Sequence, residues 1–317
     1  MRLQLTPEAE SFIDEWTDLK PYIVAHTSGS TGKPKEIRLL KSDMRTSARA
    51  TIKFFGLNSD SLLYLPLSTG YIAGKMQIVR ALEAGCSLIV EKPSNHPLDT
   101  AIDSRISLLP IVPSQIEALL SNPVREKIDS LIIGGAPIDS STEQAVIKSG
   151  LNAYATYGMT ETCSHVALKK LGDERFNALP GISFSIDSRG CLMISSSDMS
   201  FGVLTTNDII ELHNEKQFSW IGRYDNVINS GGIKIFPEEI EKSISHLLPH
   251  GVKYYISSRC NAKWGEEAVL VCDSSINDEN ILEKIKTIVS PMKAPKAVII
   301  DPQMKLTDSK KIVRRKF

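Results

Sequence analysis

Between Thr27 and Lys35 the chain runs Thr27-Ser28-Gly29-Ser30-Thr31-Gly32-Lys33-Pro34-Lys35, a stretch of small hydroxyls, two glycines and two cations with almost no apolar bulk. That composition suits the grip of a polyphosphate. Gly29 and Gly32 can take φ > 0 and bring backbone N–H groups close to an anion, while Ser28, Ser30, Thr31 and Lys33 add donors and charge. A Walker A loop is excluded, because that motif needs four residues between its glycines and Ser or Thr after the Lys, whereas Gly29 and Gly32 enclose two and Pro34 follows Lys33. Read alone, the run is also compatible with a flexible Ser/Gly turn.

Two more segments supply what the loop lacks. Tyr154-Ala155-Thr156-Tyr157-Gly158-Met159-Thr160-Glu161 places a turn-forming glycine before a hydroxyl and a carboxylate. Thr160 can meet a phosphate oxygen and Glu161 a Mg²⁺ ion, which commonly bridges one carboxylate to substrate phosphates. The same residues also fit a helix start, with Thr160 as cap and Glu161 in the first turn. Further on, Gly222-Arg223-Tyr224-Asp225-Asn226 through Gly231-Gly232-Ile233-Lys234 to Pro237-Glu238-Glu239 is a turn-rich stretch followed by a helix start, which marks a joint between folded units.

The elements that position these segments alternate. A strand is predicted at 22–25 before the loop, and short strands at 62–65, 87–90, 107–110 and 130–133 alternate with helices at 74–84 and 113–120, a pattern that argues for a parallel α/β sheet. From about Gly181 the pattern turns to short strands at 184–186, 191–194 and 209–212, consistent with a β-barrel-like subdomain. Past Asp225, helices near 237–248 and 276–289 and strands at 253–257 and 268–272 make a small α/β unit. The predicted division is a large domain over 1–224 (α/β part about 1–178, barrel-like part about 179–224) and a small C-terminal domain over 225–317.

With these segments in order, the chain resembles the adenylate-forming superfamily of acyl- and aryl-CoA ligases, luciferases and nonribosomal adenylation domains. The resemblance rests on the phosphate loop, Gly134-Gly135-Ala136-Pro137, Tyr157-Gly158-Met159-Thr160-Glu161, Thr206-Asn207-Asp208, Gly222-Arg223-Tyr224-Asp225 and the closing Thr307-Asp308-Ser309-Lys310-Lys311-Ile312-Val313-Arg314. Within the superfamily it is most similar to a short o-succinylbenzoate-CoA ligase of menaquinone synthesis, through Thr160-Glu161-Thr162-Cys163-Ser164-His165 and Asn229-Ser230-Gly231-Gly232-Ile233-Lys234-Ile235. Typical members carry well over a hundred residues before the phosphate loop, so the acyl-pocket wall is expected to differ.

The resemblance implies two half-reactions, acyl-adenylate formation from an acid and ATP with Mg²⁺, then transfer to CoA. By it, Thr27 to Lys33 would hold the β,γ-phosphates, Thr160 the α-phosphate and Glu161 the metal. Gly134 to Pro137 and Tyr157 would face adenine, Asp208 and Arg223 the ribose, and Lys311 would bridge carboxylate and phosphate. Lys310 stands where the family has glycine, which leaves open which of the two lysines acts, and Asn207 likewise replaces the glycine before the ribose aspartate. Asp225 would be the hinge, and Gly231 and Gly232 would let the CoA arm pass. For the acid, Arg80 and Lys75 on one helix are candidate cations for a second carboxylate, with His165 lining the same pocket; a solvated amphipathic helix explains both cations equally well. Other acyl- or aryl-CoA ligases, and a nucleotide-binding relative without turnover, are the alternatives.

Composition narrows the setting. With 317 residues, 42% of them hydrophobic, there is chain enough for more than one core, and 37 cations against 37 acids leave no net charge to attract nucleic acid or an anionic membrane. Five cysteines, Cys86, Cys163, Cys191, Cys260 and Cys272, lack metal-ligand spacing and fit a reduced cytosol. The N-terminal residues read as no signal peptide, no run is long enough to span a bilayer, and a homodimer is compatible with the family.

Overall fold

Fully buried apolar runs such as Leu131-Ile132-Ile133 form strands covered on both faces, which is the environment of a parallel sheet. The computed structural model describes residues 2–26, 36–100, 102–249, 251–276, 278–307 and 312–317. The predicted phosphate-loop residues Thr27 to Lys33, and both Lys310 and Lys311, lie outside the described residues.

Leu3–Gln4, Ser87–Val90 and Leu62–Leu65 make a parallel three-stranded sheet. Its edge meets Leu109–Ile111 through the parallel bridge Leu63↔Leu108, and Leu131–Ile133 and Ala153–Gly158 continue in parallel. His165–Lys170 then runs antiparallel to Ala153–Gly158. Beyond it Phe176–Ala178, Gln217–Arg223, Val203–Asn214, Cys191–Ser196 and Ile182–Ile186 follow in antiparallel order, completing nine strands from Leu109–Ile111 outward. The strands predicted as barrel-like are therefore hydrogen-bonded into the same sheet as part of the α/β layer. A separate antiparallel pair, Tyr22–His26 with Glu36–Leu40, brings His26 opposite Glu36.

Helices cover this sheet for local reasons. Pro7–Thr17 begins at Thr6, whose hydroxyl accepts from the Ala9 N–H at 3.4 Å, and buries Ala9, Phe12 and Trp16 on one stripe. Lys41–Phe55 and Ile72–Ala84 pack on each other, and each stops at a left-handed glycine, Gly56 (φ 65°) and Gly85 (φ 64°), where a side chain would be strained.

From Ile228 onward the chain builds a further sheet: Ile233–Ile235, Ile228–Ser230, Gly265–Cys272 and Tyr254–Asn261 antiparallel, with Val298–Ile300 parallel to Gly265–Cys272. Pro237–Ile244 and Ile281–Ile288 cover it, and Ile228, Ile235, Ile240, Ile244, Leu270 and Ile285 are buried in its own core. The helix predicted over 276–289 is shorter than expected, and the one from Pro237 tightens into a 3₁₀ turn at Ser245–Leu247.

Candidate active site

The carboxyl ends of neighbouring parallel strands bring two of the predicted segments together. Ile133 pairs with Ala155, so Gly134-Gly135 and Tyr157-Gly158 emerge side by side, where open α/β sheets bind ligands. An ideal Cβ on Gly134 would lie 2.5 Å from Thr156 Oγ1, and Gly135 sits at φ 87°. Both glycines are thus required by the close approach of the two segments and by the turn.

Asp208 is the polar centre of the predicted ribose site. It is 8% exposed, and antiparallel register sets it opposite Arg223. Tyr157 Oη donates to Asp208 Oδ2 at 2.6 Å, Trp220 Nε1 to Oδ1 at 3.2 Å and Arg223 to Oδ1 at 3.5 Å. Burial and the adjacent carboxylate push the Tyr157 phenol well above its ordinary range, so it stays a donor at any working pH. The Tyr157 ring meets Phe218 edge-on at 5.1 Å and Phe176 at 5.8 Å. Sequence reasoning missed Trp220; its register opposite Ile210, two residues along the strand from Asp208, was the signal that pairing alone reveals.

The helix start read at Thr160 is instead a single 3₁₀ turn, Thr160–Thr162. Cys163 ends it at φ 62°, and the chain turns back into His165–Lys170. Thr162 is fully buried; its hydroxyl accepts from the Met159 N–H at 3.0 Å and lies 2.9 Å from the Met159 carbonyl and 2.8 Å from the Ser164 carbonyl. Glu161 is exposed and makes no hydrogen bond or ion pair among the described residues, which leaves a free hard oxygen donor suited to Mg²⁺. Among the described residues no group of three acidic, His or Cys side chains is placed to hold a metal. A Cβ on Gly158 would fall 2.4 Å from the Ser164 carbonyl oxygen and 2.5 Å from His165 Cα. Gly158→Ala is expected to lose about 1–3 kcal/mol of stability by overpacking backbone against backbone; an unchanged denaturant midpoint would count against this packing.

Arg80 is 2% exposed on the buried side of Ile72–Ala84. It donates from Nη2 to Ser164 Oγ at 2.7 Å and from Nη1 to Gln77 Oε1 at 3.3 Å, while Nε is buried without a partner among the described residues. It has no carboxylate within ion-pair distance among the described residues, and burial pulls its pKa down to about 9. Lys75 is not brought to this place. It pairs with Glu15 at 3.3 Å and lies 4.5 Å from the Phe12 ring centre, so it serves the contact between two helices.

His165 does come close: its Nε2 is 3.1 Å from Thr51 Oγ1, and burial together with the Arg80 charge drives its pKa well below 6.5. The imidazole is therefore neutral at pH 7. Since the unfolded chain takes up this proton from about pH 6.5 downward and the folded chain does not, His165 makes stability fall as pH drops below that point, by up to about 1.4 kcal/mol per unit. A His165→Gln variant should show a flatter stability profile from pH 6.5 to 5 in denaturant titrations, and a profile as steep as the parent's would refute the assignment. The cavity beside His165, Thr46 and Met199 holds about 10 Å³, room for one water. A surface hollow of about 690 Å³ near Trp16, Leu19 and Lys41 involves none of the predicted site residues.

At the predicted hinge, Asp225 lies in a 3₁₀ turn and accepts from Arg223 Nη2 at 2.9 Å and from Asn207 Nδ2 at 3.3 Å. Arg223 thus touches both aspartates. Gly231 and Gly232, at φ 57° and 85°, form the two-residue turn between Ile228–Ser230 and Ile233–Ile235. Trp264, unremarked in the sequence, packs on Gly231, whose N–H donates to its carbonyl at 2.8 Å. At the C-terminus Leu306 bridges Ile312, and Arg314 grips both oxygens of Glu241 at 2.5 and 2.6 Å.

A model of the AMP-binding enzyme family matches residues 7–188, more than half of the chain. The chain belongs to the AMP-binding enzyme family. Among curated members, the indoleacetate–CoA ligase of Aromatoleum aromaticum is 24% identical over 88% of this chain and 63% of its own length. A 2-succinylbenzoate–CoA ligase of Listeria monocytogenes is 25% identical over 98% of this chain and 72% of its own. The chain therefore spans 63% and 72% of the length of these two members. A solved structure described as an acyl-CoA synthetase (AMP-forming)/AMP-acid ligase II-like protein, from Dyadobacter fermentans, is 34% identical with a TM-score of 0.66, over 96% of this chain and 91% of that one. The mixed α/β architecture is that of the adenylate-forming fold, and among the described residues no helix is long and apolar enough to cross a membrane.

Proposed function

We propose that the chain is an ATP-dependent acid–CoA ligase that works through an acyl-adenylate, and that its acid carries a second carboxylate, as o-succinylbenzoate does. The observation that carries the substrate class is Arg80, a buried guanidinium without a carboxylate counter-ion among the described residues, hydrogen-bonded to the segment that follows Thr160 and Glu161. A lone buried cation is costly, and a ligand carboxylate with which it can form a two-pronged pair repays that cost.

In the first half-reaction a carboxylate oxygen of the acid attacks the α-phosphorus of ATP, the bond from that phosphorus to the bridging oxygen breaks, and pyrophosphate leaves. In the second, the CoA thiol gives up its proton, its sulfur attacks the acyl carbon, and AMP leaves. The chain's part in the first step is to hold charge in place. Asp208 and Arg223 bind the ribose, Tyr157 and Gly134 to Pro137 border the base, Thr160 meets the α-phosphate, and Thr27 to Lys33 grip the remaining phosphates. Glu161 would hold Mg²⁺, which supplies positive charge against the phosphate oxygens. Lys311 meets the charge that builds at the reacting carboxylate. A large unit over 1–224 and a small one over 225–317 would turn about Asp225 between the steps, with Gly231 and Gly232 beside the CoA arm.

Pyrophosphate release tests the reading, measured with ATP, Mg²⁺ and o-succinylbenzoate, with and without CoA, against a panel of monocarboxylic acids that includes indoleacetate. CoA-dependent turnover confined to the diacid is the expected result. Turnover with a monoacid would keep the chemistry and overturn the diacid, and ATP binding without pyrophosphate release from any acid would overturn both.

A further inference from the structure

The guanidinium of Arg80 and the turn that carries Thr160 and Glu161 are joined by two short hydrogen bonds that meet at Ser164, one on its side chain and one on its carbonyl. Arg80 Nη2 donates to Ser164 Oγ at 2.7 Å, and the Ser164 carbonyl lies 2.8 Å from the Thr162 hydroxyl. That hydroxyl also closes the turn against Met159, and the Cys163 N–H donates to the Thr160 carbonyl at 2.9 Å. Thr162, Cys163 and Ser164 are all buried, and Gly158 fits so closely under Ser164 and His165 that a single added methyl would displace the backbone. Residues 162–165 are thus buried and bonded to the base of the Thr160–Glu161 turn, and close-packed segments of this kind shift together rather than deform.

We infer that Ser164 is a positioning residue that couples a carboxylate on Arg80 to the Thr160–Glu161 turn, so that a diacid tightens the binding of Mg²⁺ and nucleotide and a monoacid does not. The inference rests on the diacid reading above. Among the described residues, the fork of Arg80 has an unpartnered Nε and two neutral acceptors, Ser164 and Gln77. A carboxylate fixes the guanidinium plane and cancels a buried positive charge that otherwise opposes a nearby metal cation. The Nη2 contact then holds Ser164, and through Thr162 the turn. Coupling of this kind is reciprocal, so nucleotide binding tightens the diacid by the same factor.

The test is calorimetric titration of the full chain with Mg²⁺ and α,β-methylene-ATP, which cannot release pyrophosphate, with o-succinylbenzoate or benzoate present or absent. We expect the diacid to lower the nucleotide Kd about 10-fold, within the range usual for coupled sites, and benzoate to leave it unchanged. In Ser164→Ala the ratio of the two Kd values should fall to near one, and Ser164→Thr, which keeps the hydroxyl, should restore it. The ratio cancels any uniform loss of affinity, so a merely structural role for Ser164 would not move it. Thr162→Val cuts the same path one link further on and should give the same loss, which keeps the test independent of the folding of the alanine variant. A parent-like ratio in both Ser164→Ala and Thr162→Val overturns the coupling while leaving the diacid reading intact. Absence of any diacid binding, together with turnover of a monoacid, overturns both.

Discussion

Arg80→Met is expected to make the protein more stable and a poorer enzyme. The side chain is 2% exposed, lacks a carboxylate partner among the described residues, and leaves Nε unpaired, so folding carries the cost of a desolvated charge that nothing in the described chain repays. Methionine fills a similar volume without that cost. Exchange of buried charges for apolar groups of like size is neutral to stabilising by about 1–4 kcal/mol, and the loss of the Ser164 and Gln77 contacts subtracts part of this gain. The melting temperature should therefore rise by a few degrees. The same change removes the proposed carboxylate anchor, and hydrogen bonds to charged groups are worth about 1.5–3 kcal/mol each, so kcat/KM for o-succinylbenzoate should fall roughly 100-fold. Activity lost together with stability would mark Arg80 as a structural residue, and unchanged selectivity for a diacid would remove it from the substrate site.

Asp208→Ala should do the opposite, costing stability and nucleotide affinity together. The carboxylate accepts from Tyr157, Trp220 and Arg223, and its loss orphans the half-buried Tyr157 and Trp220 donors, while Arg223 keeps Asp225. Each buried donor left unsatisfied costs about 1–3 kcal/mol, and relaxation toward solvent should hold the sum near 2–4 kcal/mol. With the ribose acceptor gone, ATP should bind about 100-fold more weakly. Asp208→Asn separates the two effects. It keeps an acceptor for Tyr157 but turns an NH₂ toward Trp220 or Arg223, so the fold is retained while the oxygen that a ribose hydroxyl would share is lost. If equilibrium dialysis finds ATP held by the Asp208→Asn protein as tightly as by the parent, Asp208 is a strut of the sheet and not a nucleotide ligand.

How much of this was legible in the chain itself follows from the range over which each determinant acts. The parallel strands were readable because apolar runs of three or four residues between turn signals fit a buried sheet, whereas the helices Pro7–Thr17 and Lys41–Phe55 came to light only in the structure. The residue types near the proposed site, a hydroxyl and carboxylate after a strand, an aspartate and an arginine each in its own short motif, two glycines in a tight turn, were likewise written locally. Tertiary structure decided what the partners are. It spends Lys75 on Glu15 and leaves Arg80 alone, two outcomes that helical spacing on Ile72–Ala84 cannot tell apart because they depend on whether Pro7–Thr17 or the sheet lies opposite. It sets Trp220 on Asp208 and Trp264 on Gly231 through strand registers, and it closes Thr160–Thr162 into one short turn where local preference read the start of a helix. The physical reason is common to all of these. Types and turns follow from a residue's nearest neighbours in the chain, whereas the counter-ion, the hydrogen-bond partner and the degree of burial come from residues brought together only when the sheet has formed.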